Sequence, residues 1–181
     1  QDAASGEVLM LGYMDRAALD ATLADKMVTF HSRSKNTLWR KGETSGNLLD
    51  LVEVRADCDS DALLVLATPR GPTCHTGTVS CFGAEGPPGA GFIGELERVI
   101  QSRAGADPAT SYTAKLLSEG PARAAQKVGE EGVETALAGR CGDDAELISE
   151  AADLVYHLTV LLKARRLQWR DLVGELTRRH G

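Results

Sequence analysis

No apolar run in this chain approaches the roughly 20 residues that a membrane-spanning helix needs, so a transmembrane helix is excluded as its organising element. The chain does not open on a basic segment leading into an apolar one, and nothing in it supports secretion. Positive charge is in deficit as well: 20 basic against 26 acidic side chains give −6, which argues against a broad nucleic-acid-binding surface. A phosphate-bearing small molecule is still allowed, because a few local cations or a metal neutralise it. Cysteine is scarce, with four residues, too few for a disulfide-dense miniprotein. Three of them, Cys58, Cys74 and Cys81, fall within 24 residues while Cys141 stands alone. That grouping suits a reduced compartment and a metal better than two bridges, and the expected location is cytoplasmic. With no C-x-x-C pair, an ordinary zinc ribbon is also excluded.

What is present fits globular material: 43% hydrophobic and 25% charged residues over 181 positions, enough for one ordinary domain or two small ones. Residues 83–91, GAEGPPGAG, hold four Gly, two Pro and no bulky apolar side chain, and read as a linker. The expected domains are therefore 1–82 and 92–181. By count the charge is −4 for residues 1–90 (8 basic, 12 acidic) and −2 for 91–181 (12 basic, 14 acidic).

The two halves differ in period. Before the linker, strand-length runs (Val8-Leu9-Met10-Leu11, Val28-Thr29-Phe30, residues 48–52 and 62–67) alternate with Gly, Asn, Ser and Asp. One helix is predicted over 15–26, with Asp15 as N-cap and Ala18, Leu19, Thr22 and Leu23 at helical spacing. After it, four helices are predicted: 92–103, 121 to about 139, 143–166 and 169–179, with Pro121 in a first turn. Along the third of these, Leu147, Ala151, Leu154, Leu158 and Leu161 form one apolar stripe. The expected architecture is a β-rich α+β N-terminal domain and an all-α C-terminal one. Pieces of about 90 residues bury limited core, so a dimer is the expected additional source of stability.

Asp57, Asp59 and Asp61 alternate around Cys58. On an extended segment this period places three hard oxygen donors on one face, suited to Mg²⁺, and the thiol on the other, suited to Zn²⁺. Cys74, His75 and Cys81 add two thiols and an imidazole. Three thiolates leave one tetrahedral position for water, whose pKa zinc lowers towards ~7. The same D-x-D-x-D composition also occurs in plain solvated turns. Between these stretches, SRSKNTLWRKGETSGN (residues 32–47) carries hydroxyls, glycines and four cations that could cradle a phosphate, while Trp39 could stack on a base. The alternative reading is a polar hairpin with Trp39 in the core.

The ordered strings SRSKNTLWRKGETSGN, DCDSDALL and GPTCHTGTVSCF closely resemble the phosphoribosyl-AMP cyclohydrolases of histidine biosynthesis, over residues 1–82. The resemblance implies hydrolysis of the N1–C6 bond of the adenine ring. It also implies zinc on Cys58, Cys74 and Cys81 assembled across a homodimer interface, and magnesium on Asp57, Asp59 and Asp61. Attack at C6 needs an activated water and a proton donor to the ring nitrogen, much as in zinc deaminases. His75 is the candidate shuttle, with Lys41 and Glu43 as further candidates for proton transfer or substrate contact. Ser32, Arg33, Ser34, Lys35, Trp39, Thr44, Ser45 and Asn47 are the candidate substrate contacts.

In the second half Glu130, Glu131 and Glu134 share one predicted helix and Glu150 and Asp153 the next, at i,i+3 and i,i+4 spacings that gather each group on one face. If the helices pack antiparallel, the groups can converge on a divalent cation. Lys115, Arg123 and Lys127 could bind phosphates, and Tyr112 with Lys115 could line a pocket. His157 shares the face of Glu150 and Asp153, but is read as a helix-packing residue, and Cys141 as a turn or buried thiol. The pattern resembles the all-α MazG-like nucleotide pyrophosphohydrolases. The strings SYTAKLLSEGPARAAQKVGEEGVETALA and ISEAADLVYHLTVLL resemble their phosphoribosyl-ATP pyrophosphohydrolase branch, over residues 92–180. That resemblance implies Mg²⁺ on the five acids, catalytic use of Glu131, and cleavage of the α–β bond with release of pyrophosphate.

The product of the second resembled activity is the substrate of the first, so the resemblances together imply a bifunctional hydrolase with Zn²⁺ and Mg²⁺ as cofactors. Two alternatives remain open at this level: a helical half acting on other nucleoside triphosphates, and a structural zinc module joined to dimerisation helices.

Overall fold

Asp15 opens the first helix, α1 (Arg16–Asp25), its carboxylate accepting the Ala18 N–H at 2.8 Å, and Lys26 ends it in the left-handed conformation. This N-cap satisfies one of the amides that a helix start leaves unpaired. In the computed structural model, which describes residues 1–83, 85–87 and 89–180, the chain forms two compact units, Gln1–Phe92 and Ile93–Gly181. Ala84 and Pro88 of the expected linker, and Gly181, lie outside the described residues. The end of that stretch is tightly placed: a Cβ on Gly91 would meet the Ser5 carbonyl oxygen at 2.4 Å.

The first unit holds two antiparallel hairpins, β1 (Thr29–Ser32) with β2 (Thr37–Arg40) and β3 (Leu49–Ala56) with β4 (Leu63–Pro69). An isolated bridge, Met27 to Asp50, ties one to the other. Leu9, Val28, Phe30, Leu49 and Ala67 form the core between them, with Met10, Met14, Trp39 and Val65 packed against it. Thr22 joins α1 to this core. Fully buried, its hydroxyl donates to the Ala18 carbonyl at 2.8 Å and accepts the Thr29 N–H at 2.9 Å. The expected run Val8-Leu9-Met10-Leu11 forms no strand. Leu9 is buried, but the carbonyls of Val8 and Leu9 are taken by the Ser80 hydroxyl and the Cys81 N–H, at 2.7 and 2.8 Å. This segment therefore serves as the seat of the second cysteine-bearing loop.

The second unit contains five helices among the described residues, one more than expected: α2 (Phe92–Arg103), α3 (Tyr112–Glu119), α4 (Pro121–Cys141), α5 (Asp144–Ala164) and α6 (Trp169–His180). The unexpected one, α3, is 8 residues long, started by the Ser111 side chain and stopped by Gly120. Gly120 also opens α4, so one residue joins the two helices, at φ 85° and ψ 178°, a region open essentially to glycine alone. Helices α4 and α5, 21 residues each, are joined only by Gly142 and Asp143 and pack as an antiparallel pair about 30 Å long. Ile100, Leu116, Ala124 and Val160 make the core of this unit, from α2, α3, α4 and α5. The expected stripe on α5 is only half-buried, and the residues that bury fully there are His157, Thr159 and Val160. Trp169 anchors α6, donating from its indole to Thr159 and from its backbone to Glu97, both at 2.9 Å.

Candidate active sites

The β3–β4 hairpin ends in a turn over residues 57–62, closed by the Asp57 N–H to the Ala62 carbonyl at 3.2 Å and by the Ala62 N–H to the Asp57 carboxylate at 3.0 Å. The Ala62 amide, then contacts with Asp59 and Asp61, hold the Asp57 carboxyl below its ordinary value. Asp57, Asp59 and Asp61 each bring a carboxylate oxygen within 4.8 Å of the other two. They converge through a turn, with Ser60 at φ 64°, and not through the alternation of an extended strand expected from the spacing.

Loop 71–83 carries the other two thiols. The Cys74 N–H donates to Thr78, the Gly77 N–H returns to Cys74, and the Thr76 hydroxyl donates to the Cys74 sulfur at 3.1 Å. The Thr76 hydroxyl and backbone amide, with Thr78, hold the Cys74 thiol down at about 6, so it is a thiolate at neutral pH. Cys81 lies within hydrogen-bonding reach of Cys74, and partial desolvation together with that neighbour pushes its thiol up. Its proton is thus shared toward Cys74. Cys58 is exposed on the 57–62 turn and does not join the other two thiols in one metal-sized group among the described residues. His75 is exposed, with Nδ1 3.9 Å from the Cys74 sulfur.

The hydroxyl-rich stretch folds around this loop. Ser32 ends β1, Ser34 and Lys35 form the exposed turn, and the Arg33 guanidinium sits 3.4 Å over the Tyr13 ring. Trp39 packs on Phe30, ring centroids 5.1 Å apart, as the hairpin reading holds. Residues 42–47, with Thr44 and Ser45, form a tight turn in which a Cβ on Gly42 would strike the Asn47 carbonyl. The Asn47 side chain is pressed against Gly71, where the cysteine loop begins, and the Lys41 charge acts on the Cys81 thiol. Glu43 turns back to accept the Arg40 N–H at 3.4 Å. Lys41, Asn47 and the two thiols are thereby gathered, while Arg33 and Trp39 are engaged with Tyr13 and Phe30.

On the α4–α5 pair, Glu131, Glu150 and Asp153 each place one carboxylate oxygen within 4.8 Å of the others. Glu131 is 5% exposed. Lys127 reaches it at 2.7 Å and Glu130 at 2.9 Å, which raises Lys127 above its ordinary range and keeps Glu131 anionic despite burial. Glu134 is at bonding distance of Glu131, and the two like charges of Glu131 and Glu150 push its carboxyl up. Glu130 turns aside to Lys127 and Gln126. Three of the five expected acids therefore converge, a fourth borders them and the fifth faces the lysine. Arg123 lies 3.5 Å from Glu119, and Lys115 is exposed on α3, one turn beyond Tyr112. Tyr112 is half-exposed, its hydroxyl 3.2 Å from Nε2 of the buried His157, whose Nδ1 is 3.5 Å from Glu131. His157, read from the sequence as a helix-packing residue, is buried and also makes this contact. Its i,i+4 spacing from Asp153 was the available signal.

One unit carries an acid-lined helical pair and the other a thiol- and aspartate-bearing hairpin, donor sets of the kind that metal-dependent hydrolases use. Residues 10–83 match the family model for phosphoribosyl-AMP cyclohydrolase and residues 93–180 that for phosphoribosyl-ATP pyrophosphohydrolase. The chain is 58% identical to the histidine biosynthesis bifunctional protein HisIE of Pasteurella multocida over 183 residues, covering 99% of this chain and 91% of that one. It is 57% identical to the protein of the same name from Escherichia coli K12 over 180 residues, covering 99% and 88%. The chain belongs to this family of bifunctional histidine-biosynthesis enzymes, cyclohydrolase first and pyrophosphohydrolase second. It is a multifunctional hydrolase of amino-acid biosynthesis, and the alternative of a structural zinc module is set aside.

Proposed function

We propose that the α4–α5 acids release pyrophosphate from phosphoribosyl-ATP and that the 57–62 turn with loop 71–83 opens the ring of the resulting phosphoribosyl-AMP. The observation that carries the first assignment is the convergence of Glu131, Glu150 and Asp153, with Glu131 buried yet held anionic by Lys127. Crowded carboxylates that raise Glu134 are a donor set which a hard divalent cation relieves, so the residues fit magnesium. When bound there, magnesium screens the triphosphate and polarises the phosphorus under attack. Lys127 keeps Glu131 ionised, and Glu131 is placed to orient the attacking water. Tyr112 and Lys115 border the pair from α3, where a base or ribose and a phosphate would be met.

In the first unit a thiolate at Cys74 beside Cys81 fits zinc, and the aspartate turn fits magnesium. Zinc supplies there a Lewis acid that makes water a usable nucleophile at neutral pH. Because Cys58 stands apart from Cys74 and Cys81, the third thiol is proposed to come from a second copy, giving a homodimer. Val52, Leu63, Leu64 and Phe82, all exposed around these segments, supply apolar surface for that contact. His75 is the proposed proton carrier to the ring nitrogen, with Lys41 and Asn47 contacting substrate beside it. Arg33, Lys35, Ser32, Ser34, Thr44 and Ser45 are the proposed phosphate-binding groups of the first unit. No described helix is long and apolar enough to cross a membrane, and a cytoplasmic location is proposed because the site needs reduced thiols.

The test gives purified chain phosphoribosyl-ATP, Mg²⁺ and trace Zn²⁺, and follows pyrophosphate and the ultraviolet change of ring opening in one tube. Both signals are expected, the second alone lost on zinc chelation. Pyrophosphate without ring opening would overturn the first-unit assignment, and turnover of ordinary dNTPs as fast as of phosphoribosyl-ATP would overturn the choice of substrate.

A further inference from the structure

His157 is 5% exposed, and both of its ring nitrogens are engaged. Nδ1 lies 2.9 Å from the Asp153 backbone carbonyl. A carbonyl only accepts, so Nδ1 carries the proton and donates it. The Glu131 Oε1 atom lies 3.5 Å from the same nitrogen. The other ring nitrogen, Nε2, lies 3.2 Å from the Tyr112 hydroxyl. The rings reinforce the arrangement: His157 sits edge-on to Tyr112 and Tyr156 at 6.1 and 5.1 Å, and the Tyr156 hydroxyl is fixed 2.8 Å from Thr113.

We infer that His157 is a positioning residue of the helical centre, coupling the cation-binding acid Glu131 on α4 to the substrate-facing Tyr112 on α3. A residue needed for packing alone has no reason to hold one ring nitrogen beside the Glu131 carboxylate and the other on the Tyr112 hydroxyl. This inference rests on the reading of the α4–α5 acids as the pyrophosphate-releasing centre.

The experiment uses the full chain, with Asp59→Asn present throughout so that the aspartate turn does not contribute, and two readouts: Mn²⁺ binding in the absence of nucleotide, from the paramagnetic resonance of free Mn²⁺, and KM and kcat for pyrophosphate release. His157→Leu is expected to weaken Mn²⁺ binding about tenfold, the size of effect found when an outer partner of a metal ligand is removed. His157→Asn keeps a donor at the Nδ1 position and loses the Nε2 partner of Tyr112. It is expected to bind Mn²⁺ like the parent while raising KM as much as Tyr112→Phe does, with the double variant no worse than either. Parent-like Mn²⁺ binding by folded His157→Leu, or additive effects of His157→Asn and Tyr112→Phe, would overturn the inference. Should His157→Leu not fold, the Asn and Phe variants decide it, since Tyr112 is half-exposed. Glu131→Gln separates the two levels. If it binds Mn²⁺ as the parent does, the reading of the acid cluster itself fails, whereas loss there with none in His157→Leu overturns only the coupling.

Discussion

Replacing Glu131 by glutamine keeps the shape of a buried side chain and removes one charge. In the folded chain that carboxylate accepts from Lys127 at 2.7 Å, and a hydrogen bond to a charged group contributes about 1.5–3 kcal/mol. Two features reduce the loss. Lys127 keeps Glu130 at 2.9 Å, and the variant relieves the repulsion that now raises Glu134. The expected change in stability is therefore about 1 kcal/mol or less, and the fold persists. The chemical loss is much larger, because one of only three converging oxygen donors is weakened. Disturbing an outer partner of a ligand already costs about 10–100-fold, so loss of the ligand charge itself is expected to lower kcat/KM for pyrophosphate release by about 10³. Ring opening, measured by absorbance with phosphoribosyl-AMP supplied directly, is expected to stay within about twofold, since its residues lie in the other unit. Circular dichroism and a urea titration establish that the variant is folded. A folded variant that retained a tenth of its pyrophosphate release, or lost both reactions equally, would refute the reasoning.

Cys81→Ser is expected to do the reverse, abolishing ring opening while pyrophosphate release is unchanged, and equal loss of both would contradict the two-centre assignment. The Cys74 thiol sits at about 6 in the folded chain against an ordinary 9.0, so in chelator-treated protein its alkylation, resolved by mass spectrometry, should be half-maximal near pH 6. The depressed value favours the folded thiolate at alkaline pH, and that contribution falls away as pH drops through about 6. A midpoint above 8 would show that the Thr76 contacts do not form in solution. Ile100→Ala, in the centre of the helical core at 1% exposure, removes three carbons and leaves a cavity. It should cost about 3–4 kcal/mol by denaturant unfolding of the full chain, and a cost below 1 would mean the site is not packed as described.

Local features were the ones legible in the chain itself. Asp15 as a cap, the bounds of α2, and Pro121 at the start of α4 depend on a few neighbouring residues and came through in sequence. The helix α3 did not, because 8 residues span barely two turns and show little period; its signals were only Ser111 before it and Gly120 after. The aspartates were legible as a cation-binding group, but their geometry was not. The spacing suggests a strand, while the Ala62 amide and the positive φ of Ser60 make a turn. Which acids on one helix face converge also depends on side-chain partners. Glu130 shares Glu131's helix and is drawn off by Lys127 and Gln126, a competition that spacing alone does not reveal. His157 needed α3 in place before its second ring nitrogen had a partner.

The single-residue joint at Gly120 also limits how this stretch can vary in length. Between Tyr112 and Gly120 the chain is one continuous helix, and beyond it α4 starts at once. An insertion or deletion of one residue inside α3 would turn Tyr112 about 100° around the helix axis and shift it by about 1.5 Å. Its hydroxyl would then leave the Nε2 atom of His157, with no loop between α3 and α4 to absorb the change. Substitutions can accumulate on the outer face of α3, but its residue count is locked to the helix that carries Glu131.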